Sequence, residues 1–222
     1  MLKKVLEIAC FNLESALIAQ SAGADRIELC TDYSSGGISP KIELVKETRE
    51  KIQIPLHVIV RSRDGNFCYN AFELEEMVAY TELCKNAGVN GVVFGALTDD
   101  KKIDLEACST VKKAAGNMTL TFHRAIDECV DIKRGLQEII SLDYHRVLTS
   151  GGKQNAMNGI QSLKEMQNEF GNKIIIMPGG GIRSNNIKQI LDTGCKEFHS
   201  AAITKSGALT DSQEIENLKL FL

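Results

Sequence analysis

Short runs of β-branched and other apolar residues alternate with longer stretches of helical period along the whole chain. The runs are VLEIA (5–9), RIEL (26–29), LHVIV (56–60), GVVFG (91–95), TLTFH (119–123), HRVLT (145–149), KIIIM (173–177) and KEFHS (196–200). Between them apolar residues return every three or four positions, as in ELEEMVAYTELCKNA (73–87). Strands alternating with helices predict βαβ units and a parallel sheet. Eight strands with a repeat of roughly 28 residues favour a closed (β/α)8 barrel, the TIM barrel, over an open doubly wound sheet. Gly23, Gly88 and Gly194 each end a helical stretch just before a strand. A glycine in the left-handed conformation stops a helix there at low steric cost. No linker or low-complexity tract interrupts the pattern. The expectation is an α/β chain folded as a single TIM-barrel domain over residues 1–222, with short loops.

Composition narrows the function classes. Hydrophobic residues make up 43% and charged residues 25%, the balance of a soluble globular protein. A formal net charge of −3 and the lack of a Lys/Arg-rich run argue against nucleic-acid binding. No stretch approaches the ~20 apolar residues of a membrane span, and Glu7 interrupts the apolar run near the N-terminus. Seven scattered cysteines without a C-x-x-C suit reduced thiols in a cytosol.

In such barrels chemistry gathers at the C-terminal strand ends and the loops that follow. Polar residues cluster there: Glu28 and Cys30 after the second run, Arg61 and Arg63 after the third, and His123, Arg124 and Asp127 after the fifth. Ser150, Gly151 and Gly152 follow the sixth, Gly179, Gly180 and Gly181 the seventh, and His199 and Ser200 close the eighth. Residues two apart on a strand share a face. If Ile27 and Leu29 pack on helices, Glu28 points into the barrel. Glu7 and Glu197 are candidates for the same interior, where a carboxylate requires a partner or a shifted pKa. His57 and His145 read as core or surface histidines.

Two kinds of site follow. Backbone amides of the glycine loops, unshielded by Cβ atoms, can approach an anion closely. With Arg63, Ser150, His199 and Ser200 they form a candidate anion cradle. Cys10 and Cys30 end neighbouring strands, and two thiolates suit linear Cu(I), whereas structural zinc normally takes four ligands. Parity opposes the pair, since Glu7 and Cys10, three apart, face opposite ways unless the strand ends near Ala9.

Together EIAC (7–10), SAGADRIELC (21–30), GGISP (36–40), RSRDGNFCY (61–69), VVFGALT (92–98), TFHRAID (121–127), RVLTSGG (146–152), MPGGGI (177–182) and EFHS (197–200) resemble the CutC family. The resemblance implies a cytoplasmic (β/α)8 barrel, a homodimer, and a role in copper homeostasis with Cys10 and Cys30 as a copper-binding pair. Ser62 stands where the family usually has proline, and Asp64-Gly65-Asn66 replaces a more usual Gly-Gly-Asp. The alternative, read from the residues, is an isomerase or lyase acting on a small anionic or phosphorylated metabolite. In it Glu28, Arg61 and His123 are the catalytic candidates. A scaffold that binds a protein partner is a third reading.

Overall fold

The computed structural model describes residues 3–205 and 209–222. Its strands are β1 (Val5–Cys10), β2 (Arg26–Leu29), β3 (Leu56–Ile59), β4 (Gly91–Phe94), β5 (Thr119–Phe122), β6 (Arg146–Thr149), β7 (Ile175–Pro178) and β8 (Glu197–Ser200). Between and after them run α1 (Leu13–Ser21), α2 (Ile42–Lys51), α3 (Ala71–Asn86), α4 (Leu105–Ala115), α5 (Ile132–Ser141), α6 (Ile160–Phe170), α7 (Ile187–Leu191) and α8 (Ser212–Lys219). The ladders are parallel and run in the order β7-β6-β5-β4-β3-β2-β1-β8. At the seam between β7 and β8, a Cβ on Gly179 would lie 3.3 Å from that of His199. The strands therefore form the nearly closed wall of a (β/α)8 barrel, as the alternation predicts.

Side-chain parity assigns two layers. Leu6, Ile8, Ile27, Leu29, Leu56, Val58, Val92 and Phe94 join the large apolar core between sheet and helices. Burying each such side chain stabilises the fold by about 1.5–3 kcal/mol. Their neighbours Glu7, Arg26, Glu28 and His57 turn inward and are also buried. Helix starts are set locally. The Asn70 side chain accepts from the Glu73 amide, and the Glu73 carboxylate accepts from the Asn70 amide, a reciprocal cap that launches α3.

Observed strand ends lie within two residues of the expected ones, and β2 coincides at both ends. One departure matters: β5 stops at Phe122, so His123 opens the turn after it. Among the described residues no helix is long and apolar enough to cross a membrane.

Candidate functional site

The barrel floor is a closed ion-pair network. Glu7 Oε2 accepts from Arg26 Nε at 2.5 Å, and its Oε1 meets His199 Nδ1 at 2.8 Å. Arg26 Nη2 donates to Glu197 Oε2 at 2.6 Å, and Arg146 Nε donates to the same oxygen at 3.1 Å. Two carboxylates thus face two guanidiniums. Burial pushes the Glu7 pKa up, but the Arg26 charge and the His199 hydrogen bond overcome it and hold the carboxyl well below its usual range. His57 lies 3.7 Å from Glu7, and burial pushes it down to about 3, so it is neutral at physiological pH. Its Nε2 meets the Thr119 hydroxyl at 3.0 Å, in space that a Cβ on Gly91 would invade at 2.7 Å. Of the two alternatives, core or surface, His57 takes the core. His145 is exposed, a surface histidine whose Nδ1 accepts the Leu120 amide at 3.1 Å.

Above the floor opens a cavity of about 310 Å³ at the C-terminal strand ends, at the lower end of the range for small-molecule sites. Glu28 and His199 form part of its wall. His199 bridges two carboxylates, with Nδ1 on Glu7 and Nε2 3.6 Å from Glu28 Oε2. Burial raises the Glu28 pKa to about 7, the His199 charge opposing and the Glu7 charge adding. Burial disfavours the charged form of His199, yet Glu28 and Glu7 together raise its pKa. A carboxyl group poised near neutrality beside an imidazole can exchange a proton.

Arg61 and His123 line the same cavity and are only 6% and 4% exposed. Arg61 Nη1 donates to the carbonyls of Ser35 and Gly37 at 2.9 and 3.0 Å, and Nη2 to that of Gly65 at 3.0 Å. Its buried Nε has no partner among the described residues. Burial and the Arg61 charge push His123 down to about 3, which keeps the ring neutral. His123 Nδ1 accepts the Ala125 amide at 3.2 Å, which assigns the ring proton to Nε2, a second buried donor without a partner. Phe67 packs against both, with its centroid 5.0 Å from the Arg61 guanidinium carbon and 4.8 Å from the His123 ring. Arg183, also on the wall, donates to the Ile182 carbonyl, the Ser200 hydroxyl and the Ile203 carbonyl. Among the described residues neither Arg61 nor Arg183 pairs with a carboxylate.

The two glycine loops divide. Asp127 fills the loop after β6 from within: its carboxylate accepts from the amides of Ser150 and Gly152 and from the hydroxyls of Thr149 and Ser150. The Gly151 amide goes to the Thr149 hydroxyl. Ser150, Gly151 and Gly152, expected to cradle a ligand, instead cradle the protein's own carboxylate and do not line the cavity. The loop after β7 behaves differently. The Gly179 amide donates to the Thr149 carbonyl, and its missing Cβ makes room for Leu148 and His199. Gly180 and Gly181, at φ +90° and +78°, line the cavity, and among the described residues their amides donate to no protein group. A Cβ on Gly180 would sit 3.3 Å from Arg124 Nη1, so that guanidinium lies against the loop.

Arg63 does not join the cavity. It pairs with Glu73 at 2.5 Å, donates to the Asp64, Asn66 and Cys68 carbonyls, and lies over the Tyr69 ring. The arginine on the cavity wall is Arg183 and not the expected Arg63. Arg183, just beyond the third glycine, went unremarked, and its signal was that it is the first cation after a candidate anion loop. His199, expected with the anion group, bridges the two glutamates, while Ser200 orients Arg183.

The cysteines separate. β1 continues to Cys10, so parity holds and its side chain packs with Leu6 and Ile8 in the outer core. Cys30 faces inward with Ile59 and Val93 and lines the cavity. The Cys30 amide donates to the Cys10 carbonyl at 2.9 Å, which makes the residues neighbours. Their thiols nevertheless face opposite sides of the wall. Burial raises the pKa of both, Glu28 adding at each and a Thr210 contact opposing at Cys10. This arrangement does not fit a two-thiolate Cu(I) site. Donor atoms of Glu7, Glu28 and His199 lie within 4.8 Å of one another, but Arg26 already supplies the cation at Glu7.

A model of the CutC family matches residues 4–204. A family protein CutC of Xanthomonas campestris is 41% identical over 198 residues, which cover 89% of this chain and 82% of that protein. A human relative named copper homeostasis protein cutC homolog is 39% identical over 199 residues, covering 89% and 73%. The crystal structure of CutC from Streptococcus agalactiae gives a TM-score of 0.86 at 30% identity, covering 90% of this chain and 100% of that one. A barrel described as an aldolase, QR15, gives a TM-score of 0.71 at 11% identity over the full length of both chains and shares the fold alone.

Proposed function

The chain belongs to the CutC family, and on that premise we propose that it serves copper homeostasis through a small anion bound at the barrel mouth. One observation carries this reading: Arg61 and Arg183 line a small cavity without a carboxylate partner among the described residues. Arg61 is buried and Arg183 half-buried, and a cation withdrawn from water is normally paired, so an oxyanion is the partner the mouth calls for. The Gly180 and Gly181 amides and the Glu28–His199 pair support it. In this reading Arg183 and the two amides hold the anion, with Arg124, itself paired with Asp127, alongside, and Glu28 and His123 handle protons and developing charge. A cytoplasmic homodimer is part of the same reading, and sedimentation velocity checks the dimer.

Thermal shift with inorganic phosphate tests the anion. A ligand that binds the native state at a hundred times its Kd stabilises by about 2.7 kcal/mol, or several degrees for a chain of this size. The expected result is a rise in Tm that Arg183→Ala abolishes. No rise at any phosphate concentration removes the reading.

A thiolate copper site is the second reading, favoured by the Cys10–Cys30 backbone bond that makes the residues neighbours. Cu(I) titration of the reduced protein and of a Cys10→Ser/Cys30→Ser variant separates the two. Equal affinities are expected; a large loss in the double variant reinstates the copper pair.

A further inference from the structure

We infer that the anion is the phosphate of a small carbonyl compound, and that Glu28 exchanges the proton on the carbon beside its carbonyl. The inference rests on the anion reading above and adds the rest of the ligand and a reaction class.

The mouth has two donor poles. At the ends of β7 and β8, the Gly180 and Gly181 amides have no partner among the described residues and Arg183 stands beside them, while Arg124, paired through Nε with Asp127 at 2.9 Å, lies with Nη1 against Gly180. Consecutive amides freed by left-handed glycines, with guanidiniums alongside, suit a terminal phosphate, which presents several acceptor oxygens at once. At the ends of β3 and β5 the donors are different in kind. Arg61 Nε and His123 Nε2 are single buried N–H groups without partners among the described residues. The other donors of Arg61 are anchored on three carbonyls, so its position is fixed before any ligand arrives. Two fixed N–H donors suit one oxygen that gains charge, because preorganised donors in a water-poor site favour charge as it develops. Both atoms are buried, and Phe67 packs against each of the two residues on the cavity wall.

Glu28 stands between the poles, since β2 lies between β8 and β3 around the barrel. His199, itself anchored on Glu7, holds the Glu28 carboxylate from one side. The cavity volume of about 310 Å³ admits only a small metabolite. A compound spanning the poles places a phosphate at one end and a carbonyl oxygen at the other, with the intervening carbon facing Glu28. The Glu28 carboxylate then takes the proton from that carbon. The C–H electron pair forms the carbon–carbon double bond, and the carbonyl π pair moves onto oxygen, where Arg61 Nε and His123 Nε2 donate to it. Return of the proton from Glu28 to carbon reverses the step. Every proton and electron pair is accounted for, with no oxidant, reductant or second substrate. An acid–base residue so placed contributes typically 10²–10⁴-fold in rate.

The test is solvent exchange. Wild type and Glu28→Gln are incubated in D2O with dihydroxyacetone phosphate, with unphosphorylated dihydroxyacetone, and with triose to hexose sugar phosphates. Proton NMR follows loss of the signal beside the carbonyl, and thermal shift with inorganic phosphate runs in parallel. The expected result is exchange with at least one phosphorylated carbonyl compound, at least about 100-fold faster in wild type than in Glu28→Gln. The unphosphorylated compound exchanges slowly, and Glu28→Gln keeps the phosphate shift, which shows that it is folded. Equal exchange by both proteins assigns the activity to a contaminant and overturns the inference. A phosphate shift without exchange of any compound overturns the inference and leaves the anion reading standing. Absence of both overturns the two together.

Discussion

The floor and the mouth of this barrel hold the same residue types under opposite conditions. On the floor Arg26 and Arg146 face Glu7 and Glu197 at hydrogen-bonding distance, and each charge has its answer within the protein. At the mouth, among the described residues, Arg61 and Arg183 are anchored by carbonyls and hydroxyls without a carboxylate, whereas a buried ring nitrogen without a partner occurs in both regions, His57 Nδ1 below and His123 Nε2 above. Carbonyl oxygens orient a guanidinium without neutralising it. A satisfied network of charges specifies and holds the barrel. An unsatisfied one, placed where loops converge on a cavity, calls for a molecule to complete it. His199 joins the two, with one ring nitrogen on Glu7 below and the other toward Glu28 above.

The largest expected effect comes from breaking the floor. Arg26→Met leaves Glu7 and Glu197 buried without their shared guanidinium. Removing one partner of a buried ion pair destabilises by about 3–5 kcal/mol, mostly through the stranded charge. Urea unfolding should show that loss, together with a stronger fall in stability above the carboxylate range than in wild type. If Arg26→Met costs less than about 1 kcal/mol, the floor is not the closed unit that sets it apart from the mouth.

Much of this contrast could be read before the structure, and the reason for the remainder is physical. The barrel follows from local periodicity, because helix and strand repeats are properties of adjacent residues. Parity alone put Glu28 inside and set Cys10 against Glu7, and the unbroken β1 strand agrees. Which donors are free is a different matter, since each answer depends on residues far along the chain. Asp127 occupies the Ser150–Gly152 loop from more than twenty positions away, so a glycine run that reads as a cradle is already full. Arg61 and Arg63 look alike in sequence and share a parity, yet the chain leaves β3 at Ile59 and turns Arg63 toward Glu73. Likewise, the exposed amides of Gly180 and Gly181 are visible only once the neighbouring acceptors are known to be elsewhere.

The boundary between the two regions can be sharpened with pH. Glu28 titrates near 7 in the folded protein against an ordinary value of 4.5, with burial as the largest cause. A carboxyl whose folded pKa is raised binds more protons in the native than in the unfolded state between those values. Its contribution to stability therefore falls as pH climbs from 4.5 to about 7, and the loss is complete above that. Glu28→Gln removes that titration. The variant should gain on wild type progressively across this window, by roughly 1–3 kcal/mol at its upper end. The neutral histidines His57 and His123, both near 3, act in the opposite sense, favouring the native state as pH rises through the ordinary histidine range. They are present in both proteins and cancel in the difference. A stability difference that does not change with pH would place Glu28 with the compensated floor.

The smallest expected effect falls on Arg63, which tests whether position in the mouth, and not the mere presence of an arginine near it, defines the second region. Arg63 lies two residues from Arg61, but its guanidinium is partly exposed and already answered by Glu73. The Glu73 hydrogen bond raises its pKa, with burial opposing and the Glu73 charge adding. Exposed pairs of this kind contribute about 0–1 kcal/mol because water screens them and both side chains lose freedom. Arg63→Ala should therefore lower stability by no more than about 1 kcal/mol in urea unfolding. The phosphate-induced rise in Tm should stay at its wild-type size. Arg183→Ala, in contrast, should remove that rise, because it deletes an unanswered charge on the cavity wall. If the two substitutions weaken the phosphate response equally, the mouth reads overall surface charge, and the distinction between answered and unanswered arginines loses its functional meaning.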